Sequence, residues 1–338
     1  MKKLMLLSAG IVMAGTWAVQ ASAETTLRFN VWVPPKHFVV VKGYKPWAAS
    51  VEKATGGKVK IQFTTKSLGA PPRQFDLAKT GVADVVWAVQ GYTAGRFVSA
   101  EIGELPFNGD FAESLSVAYW RTHNKYFAVA NEYKGVKILG LHTHSPGQIM
   151  INSRKVTALE DLKGVKIRVV NPATSQILKL YGGVPYRGPA PKTYELFSKG
   201  IIDGSFMTAD GILAFKLTKF AKYYIHAPGG IYNTSFLVGM NQAKWDALSA
   251  ADRKAIESVS GEAISKRFGA AWDVSEAMGQ KLLSGATNVT SLKGPALTAL
   301  KTKLAFLKNN WFKKVKAKGI DGEAALKFLR AETAAYKK

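Results

Sequence analysis

Apolar and polar residues change their spacing in a regular order along the first part of the chain. Runs typical of strands are separated by runs with helical spacing, such as Trp47, Val51 and Ala54 on one face. The β-α-β-α-β order of short, apolar strands predicts a mixed or parallel sheet. The predicted strands of this block lie at residues 25–33, 58–64, 83–87 and 136–142, and its predicted helices at 44–54, 71–80 and 112–130.

The same alternation returns in the second part of the chain, without a repeat of the sequence itself. Two such blocks followed by a helical tail predict two α/β domains that face each other. Ligands of open α/β sheets bind outside the carboxyl ends of strands, so we expect the site in the cleft between the domains. Strands are predicted at 148–152, 165–170, 204–208, 223–227 and 234–240, and helices at 172–181, 191–198, 212–220, 244–248, 250–277 and on towards 283, 295–316 and 322–337.

The strand at 165–170 carries a single arginine, Arg168, near its carboxyl end. Thr157 with Glu160 fits a capping box for a helical turn before the strand, and Asn171-Pro172 fits the start of a helix after it. A guanidinium beside a helix N-terminus favours a bound carboxylate. The alternative at this point is an arginine paired with a neighbouring Asp or Glu.

The first residues fit a targeting signal. Lys2 and Lys3 precede an apolar run, and Ala21-Ser22-Ala23 has the small-x-small pattern of a cleavage site. We therefore expect an exported protein whose signal peptide, residues 1–23, is removed. The chain has no cysteine, which excludes disulfides, thiol nucleophiles and cysteine metal sites.

The formal net charge is +24, a balance that is common among proteins that bind nucleic acid. The lysines are dispersed, however, and the chain has no zinc-finger spacing or RNA-binding signature. Together with the export signal, this argues against nucleic acid as a partner. We expect the basic surface to concentrate anionic solutes or to favour an acidic partner.

The chain resembles the extracytoplasmic solute receptors of tripartite ATP-independent periplasmic (TRAP) transporters, the DctP family. The resemblance implies an α/β fold of the class II-like periplasmic binding protein type, with the ligand in an interdomain cleft, a long connecting helix and a helical C-terminus. It also implies that domain I comprises 24–146 plus 234–274, and domain II 147–233 plus 275–338. The matching stretches, in family order, are Gly-Lys-Val-Lys-Ile at 57–61, Ser-Leu-Gly at 67–69, Gly-Tyr-Thr-Ala-Gly-Arg-Phe at 91–97, Glu-Leu-Pro-Phe at 104–107, Asp-Leu-Lys-Gly-Val-Lys-Ile-Arg at 161–168, Gly-Ile-Ile-Asp-Gly at 200–204 and Met-Asn-Gln-Ala-Lys-Trp at 240–245.

A member of this family captures a small organic acid in the periplasm and delivers it to a membrane permease, without chemistry or a cofactor. Arg168 matches the family arginine that forks onto the ligand carboxylate. A second arginine of many relatives falls at or near Gln148 here, and Phe206 and Met207 stand where others have polar residues. The resemblance therefore implies a monocarboxylate with an apolar or aromatic body. The other expected ligand contacts are Trp32, Gln90, Tyr92 and Asn233.

Several polar residues keep more than one interpretation. Arg187, in the predicted loop after the Arg168 helix, either replaces the missing second arginine or is solvated. Arg96 either touches the ligand or forms a structural pair, and Tyr232 is a candidate for the hinge or the ligand. His142 and His144 lie on one face of a strand, as in half of a zinc site, but no third ligand has matching local spacing.

Enzymatic alternatives have little support in the sequence. It has no Gly-x-Gly-x-x-Gly or Walker pattern, no serine nucleophile elbow and no clear acid pair for glycoside chemistry. We therefore expect a receptor and not an enzyme, with no metal or cofactor. A periplasmic enzyme on a similar scaffold, or a basic polyanion-binding protein, is the alternative.

Overall fold

A computed structural model describes residues 24–337, so the predicted signal peptide lies outside the described residues. Two β-sheets with flanking helices form the molecule. The strands are β1 (Thr25–Asn30), β2 (Val59–Phe63), β3 (Val85–Val89), β4 (Val136–Thr143), β5 (Gln148–Ile151), β6 (Lys166–Val169), β7 (Val184–Arg187), β8 (Gly204–Met207), β9 (Tyr223–His226), β10 (Ser235–Asn241) and β11 (Asn288–Ser291).

Helices cover both sheets and form the C-terminal part of the chain. The α-helices are α1 (Lys45–Ala54), α2 (Gln74–Lys79), α3 (Ala112–Thr122), α4 (Pro172–Leu180), α5 (Thr193–Ser198), α6 (Ala209–Ala214), α7 (Gln242–Asp246), α8 (Ala250–Ser258), α9 (Glu262–Ala286), α10 (Gly294–Leu304), α11 (Phe306–Lys316) and α12 (Gly322–Ala335). Short 3₁₀ helices lie at Pro71–Arg73, Gln90–Tyr92, Ser99–Glu104, Ala128–Ala130, Leu159–Leu162, Ala190–Lys192 and Thr218–Phe220, and π-helices at Val39–Tyr44 and His123–Phe127. Among residues 24–337, no helix has the length and apolar character needed to cross a membrane.

Both sheets are mixed. The first has the order β2-β1-β3-β10-β4, with β1 parallel to β2 and β3, and β10 antiparallel to β3 and β4. The second has the order β11-β9-β5-β8-β6-β7, with β6 parallel to β7 and β8, and β5 antiparallel to β8 and β9. The predicted fold class of two facing α/β domains is therefore confirmed.

The chain crosses between the two sheets along two adjacent segments, one from β4 to β5 and one from β9 to β10. The Gly147 N–H donates to the Tyr232 carbonyl oxygen at 2.9 Å, and the Ile231 N–H donates to the Gly147 carbonyl oxygen at 2.9 Å. A Cβ at position 147 would lie 2.2 Å from the Tyr232 ring, so only glycine fits there. The two crossing segments therefore form one paired connection between the domains.

Two edge strands of the second sheet were not expected from the sequence. β7 pairs in parallel with β6, and β11 pairs in parallel with β9. β7 contains Pro185, which an edge strand tolerates because one side of it needs no ladder hydrogen bonds. β11 has the sequence Asn-Val-Thr-Ser and carries no apolar alternation. Arg187 therefore ends a strand, and its predicted place in a loop is wrong.

Three of the predicted helices are interrupted, and the one at 212–220 breaks around Lys216, which has φ of +57°. The run at 250–277 contains α8 and α9, which are separated at Gly261, a residue with φ of +60° whose N–H donates to the Leu139 carbonyl oxygen at 2.6 Å. The run at 295–316 is likewise divided at Ala305. Apolar spacing is similar on both sides of each break, so the pattern alone does not reveal it. In α1, Trp47 and Val51 are buried as predicted, whereas Ala54 is exposed.

The turn before β6 is stabilised by Asp161 and not by the predicted Glu160. The Asp161 carboxylate accepts hydrogen bonds from the backbone N–H groups of Thr157 at 2.8 Å and Ala158 at 3.1 Å. Glu160 pairs with Lys303 at 2.8 Å. The predicted capping box is wrong because the helical turn starts one residue later, at Leu159. The N-cap is therefore Ala158, and the acid three residues after it, whose side chain accepts the hydrogen bonds, is Asp161.

The long helix α9 contacts both domains. Its 25 residues span about 38 Å. A Cβ at Gly269 would lie 2.4 Å from the Glu113 Cα of α3, and a Cβ at Gly279 would lie 2.3 Å from the Ala209 carbonyl carbon of α6. These two glycines allow α9 to pack against the backbone of each domain in turn.

The C-terminal helices pack on the first part of the chain. Trp311 Nε1 donates to the Val98 carbonyl oxygen at 2.9 Å, and Arg121 forms an ion pair with Glu332 at 2.7 Å. The predicted domain boundaries, with 275–338 in domain II, remain a prediction.

Candidate functional site

A cavity lies between the two domains, with about 480 Å³ of empty space including the part open to solvent. Residues of the first sheet and its loops form one wall, and residues from β6, β8 and α6 form the other. The lining residues are Trp32, Val33, His37, Trp87, Val89, Tyr92, His144, Arg168, Val170, Ala190, Met207, Thr208, Asp210, Gly211, Phe215, Tyr232, Thr234, Phe236 and Trp272. The wall is therefore mainly aromatic and apolar, with a few polar groups.

Arg168 lies in the buried strand β6 and is only 1 % exposed. Its guanidinium donates three hydrogen bonds: Nε to the Gly188 carbonyl oxygen at 2.8 Å, Nη1 to the Phe206 carbonyl oxygen at 3.2 Å, and Nη2 to the Tyr92 hydroxyl at 3.3 Å. An arginine side chain has five N–H donors. One N–H on each terminal nitrogen is therefore left, which is the number that a bidentate carboxylate accepts.

The positive charge of Arg168 has no acidic partner in the described part of the chain, where no Asp or Glu oxygen lies within 4.0 Å of it. A buried charge without a partner is costly. Three neutral acceptors orient the guanidinium but do not balance it. The structural alternative of a pair with a neighbouring acid is therefore not realised.

The aromatic wall is a stack that rests on the first sheet. The rings of Trp32 and Trp87 stack at 4.8 Å and 13°, and those of Trp87 and Phe236 at 4.7 Å and 7°. Trp32 Nε1 donates to the Trp87 carbonyl oxygen at 2.7 Å, and Trp87 Nε1 donates to His142 Nε2 at 2.8 Å. Both indole N–H groups are thus satisfied by the protein, and the stack adds apolar aromatic surface to the cavity wall.

Two histidines of the wall are neutral. Burial lowers the pKa of His37 to about 4. Burial is also the main cause that lowers the pKa of His144 to about 4, and the charge of Arg168 acts in the same direction. Nδ1 of His144 contacts the Ser145 carbonyl oxygen, so this nitrogen carries the proton and Nε2 is an acceptor. Arg168 is therefore the one cationic side chain among the described lining residues at neutral pH.

Four of the residues predicted to bind the ligand lie on the cavity wall: Arg168, Trp32, Tyr92 and Met207. Two others are involved in structural hydrogen bonds. The Gln148 amide pairs with the backbone N–H and carbonyl of Ala227, both at 2.9 Å, and the Gln90 amide contacts the hydroxyls of Tyr119 and Tyr133. Both side chains are buried off the wall.

Phe206 and Asn233 also lie off the wall. The Phe206 ring packs edge-on against Tyr232 at 5.4 Å, and only its carbonyl oxygen is near the site, as an acceptor for Arg168. The Asn233 carbonyl oxygen accepts from Asn171 Nδ2 at 3.2 Å, beside the domain crossing. Ligand contact by these two residues, and by Gln148 and Gln90, remains a prediction for which the geometry gives no support.

The residues for which the sequence allows more than one interpretation also fall into two groups, those on the cavity wall and those off it. His144 and Tyr232 line the cavity, whereas His142 lies behind the Trp87 ring. Arg96 pairs with Asp76 at 2.8 Å, and Arg187 is exposed and off the wall. Among residues 24–337, no group of three or more His, Cys, Asp or Glu side chains could hold a metal ion.

Some lining residues were not singled out by the sequence: His37, Asp210, Phe215, Thr234 and Trp272. Trp272 follows Phe268 at helical spacing in α9, which is the pattern of ordinary core residues. Asp210 occupies the first turn of α6, where an acid is common for electrostatic reasons. The sequence therefore carries no local signal that distinguishes these two from structural residues.

Comparison with known proteins adds an independent finding. The model of the family "Bacterial extracellular solute-binding protein, family 7", DctP, matches residues 30–314. A solved TRAP periplasmic solute binding protein from Bordetella bronchiseptica, with bound (R)-mandelate and (S)-mandelate, is 35% identical to this chain. The similarity covers 92% of this chain and 99% of that chain, with a TM-score of 0.89.

Two further solved structures are similar over nearly the whole chain. A TRAP solute binding protein from Rhodoferax ferrireducens T118, in complex with copurified benzoate, is 29% identical, covers 92% of this chain and 98% of its own, and has a TM-score of 0.84. A marine metagenome TRAP solute binding protein specific for aromatic acid ligands, in complex with 3-hydroxybenzoate, is 32% identical. The similarity covers 94% of this chain and 100% of that chain, with a TM-score of 0.86.

Proposed function

Because this chain belongs to the DctP family of bacterial extracellular solute-binding proteins, we propose that it binds an aromatic monocarboxylate between its two domains through Arg168. It is a solute receptor of the TRAP type, as its structural neighbours are, and not an enzyme. The ligand class, the role of Arg168 and delivery to a permease are the parts that we propose.

The observation that carries the proposal is the buried, unbalanced guanidinium of Arg168. It is 1 % exposed, has no acidic partner in residues 24–337 and keeps one N–H on each terminal nitrogen. A ligand carboxylate supplies the missing negative charge and accepts both N–H groups in the fork geometry that arginine favours. Since the three protein acceptors already orient the guanidinium, little side-chain entropy is lost on binding.

A single carboxylate fits the wall better than two. Arg168 is the one Lys or Arg among the described lining residues, and His37 and His144 are neutral at pH 7. A second carboxylate would face tryptophan and phenylalanine rings with no positive charge to balance it. An aromatic body instead packs against the apolar surface formed by Trp32, Trp87 and Phe236. The ligands bound to the similar proteins, mandelate, benzoate and 3-hydroxybenzoate, have this form.

The proposed cycle has three steps, and it starts in the periplasm after removal of the predicted signal peptide. An aromatic acid enters the cleft, the domains close around it by rotation about the crossing segments, and the closed form is recognised by a membrane permease. Closure is supported by contacts such as Tyr92 with Arg168, because these two residues come from different sheets.

A thermal-shift screen of the purified mature protein tests the ligand class. We expect benzoate, mandelate and hydroxybenzoates to raise the melting temperature in proportion to the logarithm of their concentration, as a ligand of the folded state does. Succinate, malate and neutral sugars serve as comparison compounds of similar size. A shift with dicarboxylates or sugars, and none with aromatic acids, would overturn the proposal.

A further inference from the structure

The cavity contains a second buried polar group, the carboxyl of Asp210. This residue lies in the first turn of α6, lines the cavity and is 2 % exposed. Its carboxyl lies beside the Glu276 carboxyl of α9, with the Thr208 hydroxyl and the Gly211 N–H also close, but neither oxygen accepts a well-formed hydrogen bond from a donor of the described residues. A buried carboxyl that lacks a well-formed hydrogen bond from a donor costs free energy, so its place on the wall of a ligand cavity favours a ligand group that donates to it.

The surroundings of Asp210 are acidic or neutral. Its backbone N–H donates to Glu276 Oε2 of α9 at 3.0 Å, and the hydroxyl groups of Tyr224 and Tyr232 are the other titratable groups that interact with it. Within residues 24–337, no Lys, Arg or His forms an ion pair with Asp210 or Glu276. Burial, with the charge of Glu276, holds the pKa of Asp210 well above its ordinary value.

The raised pKa of Asp210 favours its protonated form, with the proton between the Asp210 and Glu276 carboxyls. In this form Asp210 does not repel an anionic ligand held by Arg168, and it still has an acceptor oxygen. A ligand hydroxyl can donate a hydrogen bond to this oxygen. An ammonium group would instead need the ionised carboxylate, which burial beside Glu276 disfavours.

The backbone that carries Asp210 is tightly packed. A Cβ at Gly279 of α9 would lie 2.6 Å from the Asp210 backbone nitrogen, and a Cβ at Gly211 would lie 2.6 Å from the Met207 sulfur. The carboxyl is thus presented from a backbone that has little space to shift. A hydrogen bond to a group so fixed discriminates strongly between ligands that make it and ligands that do not.

We propose that Asp210 is a specificity residue that hydrogen-bonds a hydroxyl on the body of the ligand, so that the receptor prefers hydroxylated aromatic acids to unsubstituted ones. This inference rests on the proposed function, since it takes the ligand carboxylate to be held by Arg168. It assigns a second polar contact of the ligand, besides Arg168, to an acid of α6.

Isothermal titration calorimetry with matched ligands tests the inference. The probes are benzoate with its 2-, 3- and 4-hydroxy derivatives, and phenylacetate with mandelate, because the members of each set differ by one hydroxyl or its position. For the wild-type protein we expect at least one hydroxylated acid to bind about tenfold tighter than the corresponding acid without the hydroxyl. Equal affinities across the series would overturn the inference, even without any variant.

Two variants then identify the residue. Asp210→Leu should reduce the hydroxyl preference to less than about threefold, whereas Asp210→Asn, which keeps a donor and an acceptor, should retain most of it. Asp246→Leu, at an exposed acid of α7, is the matched control and should keep the full preference. An unchanged preference in folded Asp210→Leu would overturn the assignment of Asp210.

The two proposals fail in different ways. If no aromatic acid binds the wild-type protein, the proposed function fails. If all of them bind with equal affinity, only the role of Asp210 fails. Phenylalanine serves as an ammonium probe: tighter binding of this amino acid than of the hydroxylated acids would show an ionised Asp210 and would contradict the inference.

Discussion

The Tyr92 hydroxyl lies 3.3 Å from Nη2 of Arg168, and this contact joins the two domains directly at the site. Tyr92 follows β3 of the first sheet, whereas Arg168 lies in β6 of the second. The same hydroxyl oxygen accepts a hydrogen bond from the Ala190 N–H at 2.8 Å. One phenol group of the first domain therefore accepts two N–H donors of the second, one of them on the proposed anion anchor.

Replacing Tyr92 by Phe removes the acceptor of both donors and should favour the open form. We expect the affinity for the best aromatic acid to fall about fivefold to tenfold, the effect of roughly one to one and a half hydrogen bonds. Titration calorimetry measures the affinity, and small-angle scattering of the ligand-bound protein should show a larger radius of gyration. Tyr194→Phe, at an exposed tyrosine of α5, is the control; equal affinity of the two variants would argue against the closing contact.

The stack of Trp32 on Trp87 predicts an optical signal. Trp32, Trp87 and Trp272 line the cavity, so an aromatic acid should change the intrinsic tryptophan fluorescence on binding. Trp32→Leu should reduce this change and weaken binding by about 1 kcal/mol, the typical value of an aromatic pair beyond its buried area. Trp120→Leu, off the cavity wall, should leave the affinity as it is, and a loss of affinity in both variants would indicate a general effect on folding.

Glu104 predicts a pH dependence of stability. It is 2 % exposed and accepts from the Ser235 hydroxyl at 2.9 Å. Burial is the main cause that raises its pKa to about 8, the charge of Glu101 adds to this, and the Ser235 hydrogen bonds oppose it. Between about pH 4.5 and 8 the folded protein therefore holds a proton that the unfolded chain has released, so this group makes folding less favourable as the pH rises.

Glu104→Gln removes that dependence and keeps an acceptor for Ser235. The free energy of unfolding of the variant, relative to the wild type, should increase from pH 5 to pH 8 by up to about 1.4 kcal/mol per pH unit. Denaturant unfolding at four pH values measures the difference. The neighbouring Tyr119 and Tyr133 have pKa values raised above the ordinary 10 and do not titrate in this window. A difference that is constant with pH would contradict the interpretation of Glu104.

The close approach of α9 to α6 predicts opposite effects of the same substitution at two positions. Gly279→Ala places a Cβ 2.3 Å from the Ala209 backbone and should destabilise the protein by about 1–3 kcal/mol, the usual cost of overpacking. Gly285, in the same helix, has no atom within 4 Å of an added Cβ, so Gly285→Ala should stabilise by roughly 0.5–1 kcal/mol. Thermal unfolding compares the two, and a stabilising Gly279→Ala would show that the packing is looser than described.

The parts of the site that could be predicted from sequence are those with a local signal. Arg168 is a lone arginine in an apolar strand, and the family motifs around it point to its position. Asp210 and Trp272 have no such signal, since each also fits a structural role in its own helix. Gln148 is predicted to line the cleft, but its side-chain amide hydrogen-bonds the backbone of Ala227, which directly follows β9. This pairing depends on the order of the strands in the sheet.

In the fold, too, only the features with a local sequence signal could be predicted. The β/α alternation predicts two domains with mixed or parallel sheets, because the spacing of apolar residues and the positions of turn residues are local properties of the sequence. The edge strand β7, with its proline, and β11, with a single apolar residue, gain their strand conformation from neighbouring strands. The break at Gly261 depends on a hydrogen bond to Leu139, about 120 residues earlier in the chain. The spacing of apolar residues along the chain does not reveal tertiary contacts of this kind.

The central claim is that Arg168 holds the carboxylate of an aromatic acid, and calorimetric titration of Arg168 variants tests it most directly. With the tightest-binding aromatic acid, Arg168→Ala should lose about 2–5 kcal/mol of binding free energy, and Arg168→Lys should lose much of the same amount because it cannot form the fork. Arg187→Lys and Arg187→Ala, at the exposed end of the neighbouring strand, should bind as the wild type does. An affinity unchanged by Arg168→Ala, in a protein that still folds, would contradict the account.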